Sequence, residues 1–186
     1  MAKKVVKKKT KKGAKKSFYE VNAPLTSTKI HLYAISPEDL ENKMVKIDLT
    51  KTLRGKSLVL KLRVKNIDSG LTAHPENIEL AVSYIRRVMR KGTDYVEDSF
   101  EAESRDSIVK IKPFLITRRK VSRAVLKALR ENARKTLISH IKTRDSEEIF
   151  SEIVSNKLQK QLSQKLKKIY PLALCEIRVF QVLKKK

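Results

Sequence analysis

The sequence predicts an α+β fold: a single domain with a mostly antiparallel or mixed β-sheet, barrel-like at its core, packed by helices and preceded by a disordered basic arm. Three observations predict it. Segments whose apolar residues alternate with period two are interleaved with stretches whose apolar residues recur at three- and four-residue spacing. Their order is strands, helix, strands, helices, strand, with no internal repeat. The first sixteen residues follow neither pattern and hold nine lysines and no acid.

Those residues, MAKKVVKKKTKKGAKK, carry Lys3, Lys4, Lys7, Lys8, Lys9, Lys11, Lys12, Lys15 and Lys16. Their apolar surface is too small to offset the entropy of ordering, so residues 1–16 are expected to be the arm and 17–186 the domain. Past Pro24, which cannot continue a regular ladder, 29–35, 44–49 and 57–65 alternate as strands do. In the last, Leu58, Leu60, Leu62 and Val64 point one way and Lys61, Arg63 and Lys65 the other, giving a half-buried strand with a basic outer face. SPEDLEN and KTLRGKS read as turns or loops, the second placing Arg54 and Lys56 around Gly55.

Pro75 suits the first turn of a helix, and Ile78, Ala81, Val82, Ile85 and Met89 follow at helical spacing. RRVMRKG closes that helix with Arg86, Arg87, Arg90 and Lys91 in its last turns and Gly92 as the stop. Four cations exceed what the helix dipole favours there. Residues 93–102 and 107–117 read as a hairpin around ESRD, with Pro113 marking an edge or a bend. A basic helix is expected from about Thr117. It gathers Val121, Val125, Ala128 and Leu129 on one side and Arg119, Arg123, Lys127, Arg130 and Arg134 nearly opposite. Asp145 with Glu148 is a capping-box variant that opens a further helical region, which SN at 155–156 divides. One part carries Ile149, Phe150, Ile153 and Val154, the other Leu158, Leu162, Leu166 and Ile169. Pro171 ends it, and ALCEIRVFQVL reads as a last strand.

Lysine and arginine number 44 against 20 aspartates and glutamates, a formal net charge of +24. Subtracting the nine lysines of the arm leaves +15 on the remaining 170 residues, so the domain is itself strongly basic. Such an excess calls for a polyanion. Hydrophobic residues make up 40%, enough for a core. No apolar run approaches the roughly 18 residues of a membrane span, and no signal-peptide segment opens the chain, so an intracellular, soluble protein without a membrane partner is expected. Cys175 is the only cysteine and is expected to serve as a small buried hydrophobe.

Signatures of catalysis are missing. His31, His74 and His140 form no HExxH pattern, and Gly13, Gly55, Gly70 and Gly92 are too dispersed for a phosphate-cradling loop. The acidic run Glu97, Asp98, Glu101, Glu103 and Asp106 does not match an EF-hand and reads as a solvated hairpin. No enzyme, cofactor, metal or small-molecule substrate is therefore expected. ITRRKVSRAVLKALRENARK is different in kind: it sets Arg118, Arg119, Lys120, Arg123, Lys127, Arg130, Arg134 and Lys135 against the single acid Glu131. A solvated face normally mixes both signs, so its compensation should come from outside the chain. Aromatic residues at 5% with no tryptophan argue against a binder that stacks successive bases, which leaves a phosphate-dominated binder of structured nucleic acid. Two other readings stay open: a chromatin-like DNA binder, and a metal-dependent RNA-processing enzyme using Asp98 and Glu101.

KKSFYEVNAP, LRGKSLVLKLRV, SYIRRVMRKGTDYVEDSFEAESRDSIVKIKPFLITRRKVSRAVLKALRE and KKIYPLALCEIRVFQVL follow one another in an order that resembles a single family. It is the family of archaeal and eukaryotic small-subunit ribosomal proteins called eS-one, or S-three-a-e. The resemblance implies a structural component of the small ribosomal subunit in translation, bound to small-subunit rRNA and to neighbouring ribosomal proteins on the platform. It implies that Lys3 to Lys16 are the family's basic extension and that Arg86, Arg87, Arg90, Arg118, Arg119 and Arg123 lie in its basic segments. Phe18-Tyr19 stands where the family often has tryptophan-tyrosine, keeping an aromatic anchor. Asp106-Ser107-Ile108 stands where it often has Asp-Gly-Tyr, removing a flexible turn residue. The long C-terminal tail of eukaryotic members is missing, which points to an archaeal source.

Overall fold

The computed structural model describes residues 15–185 apart from 27, 54, 68 and 69. Within the described residues the chain is α+β, with nine strands and four α-helices. They divide into two compact units: one takes the chain up to Lys43 together with Val64–Ala73, the other Met44–Arg63 and the chain from His74 onward.

In the smaller unit, β1 (Ser17–Ala23) and β2 (Thr28–Ala34) pair antiparallel from Ser17 opposite Ala34 to Ala23 opposite Thr28. Pro24 sits in the connecting turn, where its missing amide costs no ladder bond. Val21, Ala23 and Ala34 are buried, while Phe18, Glu20, His31 and Tyr33 look outward. The SPEDLEN turn folds as a 3₁₀ helix, Pro37–Leu40, that buries Leu40. Asn42 takes the left-handed backbone at φ 61° and donates its amide to the Val64 carbonyl at 2.8 Å. Asn22 pairs in parallel with Thr72, which makes the sheet mixed.

In the larger unit, β3 (Met44–Asp48) runs antiparallel to the first part of β4 (Leu58–Ile67), from Val59 to Arg63. Leu58, Leu60 and Leu62 are fully buried, as their alternation predicts. On the other face Lys61 meets Glu79 at 3.1 Å and Arg63 grips Glu76 with two bonds of 2.8 and 2.9 Å. The helix expected from Pro75 is instead the second half of β5 (Gly70–Leu80). Pro75 and Asn77 occupy inward positions with Leu71 and Ala73, so the alternation is carried partly by residues that do not look apolar. The helical spacing of Ile78, Ala81, Val82 and Ile85 is an accident of a strand that ends at Leu80 running into a helix, α1 (Val82–Val88), of only seven residues.

The expected hairpin is β6 (Tyr95–Glu97) and β7 (Phe100–Glu103), both paired antiparallel to β8 (Ser107–Thr117). Along its other side β8 pairs with β9 (Leu172–Lys185), so it is an interior strand. Pro113 marks a bend and not an edge: the register with β9 shifts between Lys112 and Pro113, where the ladder needs no donor. β5 joins β9 through Asn77, Ile78 and Glu79. Over this sheet pack α2 (Arg123–Lys142), α3 (Ser146–Val154) and α4 (Lys157–Leu166). Leu129, Ala133, Leu137 and Ile141 form the buried stripe of α2, and Phe150 meets Phe180 edge-on at 4.8 Å and 84°. Such an aromatic pair adds about 0.5–1.5 kcal/mol to its area burial. Leu158, Leu162 and Leu166 are buried, whereas Ile169 is exposed.

The break between α3 and α4 falls where expected, with Asn156 in the left-handed conformation at φ 59°. The capping box does not form. Asp145 occupies the cap position without a side-chain bond, and Asp106, forty residues away, accepts from the Ser146 amide at 2.9 Å and its hydroxyl at 2.5 Å. The basic helix likewise starts later than expected, at Arg123. Thr117 is still in the β8 ladder, and its hydroxyl lies 2.9 Å from the Asp94 carbonyl and 2.8 Å from that of Arg119. The Val121 amide then donates to the Asp94 carboxylate at 2.9 Å. These bonds hold residues 118–122 as a non-helical link.

Candidate nucleic-acid interface

Sequence reasoning assigned cations to four segments of the larger unit, and the structure brings two of them together. Arg86, Arg87, Arg90 and Lys91 are exposed at and just beyond the end of α1, and Arg118, Arg119 and Lys120 are exposed on the link after β8. Gly92, at φ 85°, makes the turn between α1 and β6 that no β-branched residue could make cheaply. An open groove of about 710 Å³ results, rimmed by Arg87, Arg90 and Arg118 and floored by Val88, Ile116, Ala173 and Leu174. Among the described residues no carboxylate lines it. Arg87 is held in place by a 2.6 Å bond from its guanidinium to the Gly55 carbonyl and lies 5.3 Å from the centre of the Tyr84 ring. Fixing one guanidinium in advance lowers the entropy lost when it meets a phosphate.

Arg123, Lys127, Arg130 and Arg134 line one face of α2, and Lys135 stands beside them; all five are exposed. Lys127 and Glu131 lie 4.0 Å apart, a single surface pair that offsets little of this charge. The first turn of α2 holds no acid and begins with Arg123, against the preference of a helix N-terminus for negative charge. Arg134 lies 5.3 Å from the Phe100 ring centre. Arg130 borders a second depression that also holds Glu97, Asp98, Lys112 and Arg178, where Arg178 engages Glu97 with bonds of 2.9 and 3.0 Å.

Lys56 is corrected. It is buried, 2.5 Å from the Glu176 carboxylate and 2.6 Å from the Asn156 side-chain carbonyl, so its charge is spent inside the protein. Nothing around Gly55 in the sequence points to an acid 120 positions away. Arg54 and Lys3, Lys4, Lys7, Lys8, Lys9, Lys11 and Lys12 lie outside the described residues. Lys15 and Lys16 are exposed, in the smaller unit. Sequence reasoning missed one basic surface: Lys157, Lys160, Lys165, Lys167 and Lys168 are all exposed on α4 and just after it. The signal was available, since residues 157–168 contain no acid.

Two acids of the β6–β8 hairpin, Glu97 and Asp106, are engaged within the protein. Glu97 is held by Arg178, and Asp106 binds Ser104, Ser107 and Ser146. Burial works to raise the pKa of Asp106, but the bonds from the Ser146 hydroxyl and amide and from Ser104 outweigh it and hold the carboxyl below the ordinary range. Among the described residues no group of three or more His, Cys, Asp or Glu side chains is arranged to hold a metal ion, and no helix is long and apolar enough to cross a membrane. Burial, reinforced by Glu176 and opposed by Lys56, pushes the Cys175 thiol up to about 12, so it stays protonated and unreactive.

The sequence is similar to those of known proteins. The sequence matches the Ribosomal S3Ae family over residues 4–186. It is 26% identical to the small ribosomal subunit protein eS1 of Methanothrix thermoacetophila, covering 95% of this chain and 87% of that one. It is 27% identical to the protein of the same name from Nanoarchaeum equitans, over 89% of this chain and 88% of that one. With that of Pyrobaculum aerophilum the identity is 28%, over 92% and 81%. A match across nearly all of the folded sequence, its acid-poor basic surfaces included, places the chain in a family: it belongs to the Ribosomal S3Ae family.

Proposed function

We propose that this chain is a structural constituent of the small ribosomal subunit, working in translation by binding small-subunit rRNA and catalysing no reaction. The observation that carries the reading is the groove rimmed by Arg87, Arg90 and Arg118 with no carboxylate among its described lining residues, together with an α2 face whose cations have one acid among them. Family membership and the eS1 relatives support it. Guanidiniums meet phosphate oxygens in bidentate pairs, and each phosphate neutralised releases condensed counterions. Residues 17–186 act as the rRNA-binding domain and the lysines of residues 1–16 as its extension along the phosphate backbone. The complex sits in the cytoplasm on the subunit platform, where neighbouring ribosomal proteins share the site.

The test is the salt dependence of binding to small-subunit rRNA by the full chain and by a variant with Arg119, Arg123, Arg130 and Arg134 changed to Gln. All four side chains are exposed, so the fold should survive. Each lost contact should reduce the magnitude of the slope of log K against log salt by about 0.9 for duplex. An unchanged slope would remove this face from the interface, and tighter binding to B-form DNA than to rRNA would overturn the ribosomal reading.

A further inference from the structure

The smaller unit exposes two aromatic rings where a folded surface ordinarily hides them. Phe18 is 73% exposed and Tyr33 54%. They stand opposite each other in the β1–β2 register, with ring centres 4.9 Å apart and planes inclined at 44°. The opposite face of the hairpin buries Val21, Ala23 and Ala34, so the hairpin is anchored from behind and its rings face solvent. Lys16 brings its ammonium within 5.7 Å of the Tyr33 ring centre, and Lys15 is exposed beside it. Glu20, the nearest acid on the same face, is engaged by Lys29 at 3.1 Å.

Leaving two large rings in water forgoes the stabilisation their burial would bring, and a protein keeps such a pair for an occupant. The charge around this pair chooses among occupants. Two exposed lysines flank it, and the preceding sequence adds seven more with no acid, so a ligand combining a flat apolar face with negative charge is complementary. An unpaired nucleotide has both parts: the base stacks on the ring, and its phosphate meets the lysines.

We propose that Phe18 and Tyr33 form a stacking platform for one or two unpaired nucleobases of an RNA strand, with Lys15 and Lys16 holding the adjoining phosphates. The proposal rests on the rRNA-binding reading and deepens it, adding a single-stranded contact to a protein that otherwise grips phosphates. Two rings suit one or two bases and not a continuous track.

The experiment measures binding of the full chain to a twelve-nucleotide oligouridine and to an RNA duplex, over a range of salt. Phe18→Ala, Tyr33→Ala and Phe18→Leu should each weaken oligouridine binding about tenfold at an unchanged salt slope, because stacking releases no counterions. Duplex binding should stay within twofold. Phe18→Trp should restore oligouridine binding. Oligouridine binding by Phe18→Leu equal to that of the unaltered protein would overturn the platform, since a leucine fills the same space without a π face. In intact small subunits, ultraviolet crosslinking should leave a nucleotide on the peptide carrying Phe18 or Tyr33. A crosslink from that peptide to protein instead would assign the patch to a protein neighbour and end the proposal. Retained rRNA binding by ring variants that bind oligouridine normally would sink this inference alone, whereas loss of subunit association by the unaltered chain would sink the ribosomal reading.

Discussion

Replacing Lys56 by methionine should be the most destabilising single change of a lysine in the described part of this protein. The ammonium is 2.5 Å from Glu176 and 2.6 Å from the Asn156 carbonyl oxygen, and both charged side chains are about nine-tenths buried, at 9% and 10% exposure. Removing it leaves the Glu176 carboxylate in the interior with one weak partner, the Gln159 amide at 3.5 Å. Breaking a buried pair from one side costs about 3–5 kcal/mol, because the remaining charge loses its compensation and does not regain water. A surface lysine costs less than about 0.5 kcal/mol, and Lys160→Met, on the exposed face of α4, is the matched control. Removing both charges, with Lys56→Met and Glu176→Leu, should recover at least about 2 kcal/mol of the loss, since a buried pair and its apolar replacement differ little. Gln159 keeps its 3.0 Å bond to the Ile153 carbonyl in that variant and loses only the weak 3.5 Å bond to Glu176. Urea unfolding of the full chain, at matched m-values, measures all four proteins. A Lys56→Met midpoint equal to that of Lys160→Met would refute the reasoning, and so would a double variant less stable than the single one.

Asp106→Ala removes the cap of α3 and should cost about 1–2 kcal/mol by thermal or urea unfolding at pH 7. Because the Asp106 carboxyl is held below its unfolded range, its contribution is complete above an unfolded pKa of about 3.9 and is lost as pH falls through the lower folded value; Asp106→Asn should flatten that acid limb. His140 is shifted down by burial and by Arg144 and Lys165, so on acidification the unfolded chain takes up the proton first, at about pH 6.5. Stability should therefore fall below neutral pH, and His140→Gln should remove that slope in unfolding curves at pH 7 and 5. Cys175, with its thiol at about 12, should alkylate about a thousandfold more slowly in the folded protein than in urea at pH 8; equal rates would show an open thiol.

What was legible in the sequence follows the range of the interactions involved. Leu58, Leu60 and Leu62 announce β4 because each pattern residue is apolar and, past Val59, the intervening Lys61 and Arg63 are charged. The end of α3 was equally plain at 155–156, since the break is a local backbone matter. The failures came where a distant partner decides. Pro75 was read as a helix start because a buried Pro75 and Asn77 disguise an alternation that only the ladder to β9 enforces. The α2 helix starts six residues later than its charge pattern suggests because Asp94, just before β6 and beside Thr117, holds Val121 and Thr117 out of the helix. Asp106 takes the capping role that local spacing gave to Asp145, and Glu176 draws Lys56 inward. For the interface, a run of uncompensated charge was visible in sequence, but its assembly was not. Arg90 and Arg118 share a groove because β8 ends where α1 does, and Phe18 and Tyr33 meet only through the β1–β2 register.

The central claim is that the charge partner of these basic surfaces is the RNA of the small ribosomal subunit. Its most direct test is sedimentation of a cell lysate through a sucrose gradient in moderately high salt, with the protein quantified by mass spectrometry against other small-subunit proteins. The account predicts one copy per small subunit, following the subunit through the gradient. Recovery at the top, free or bound to DNA, would contradict it.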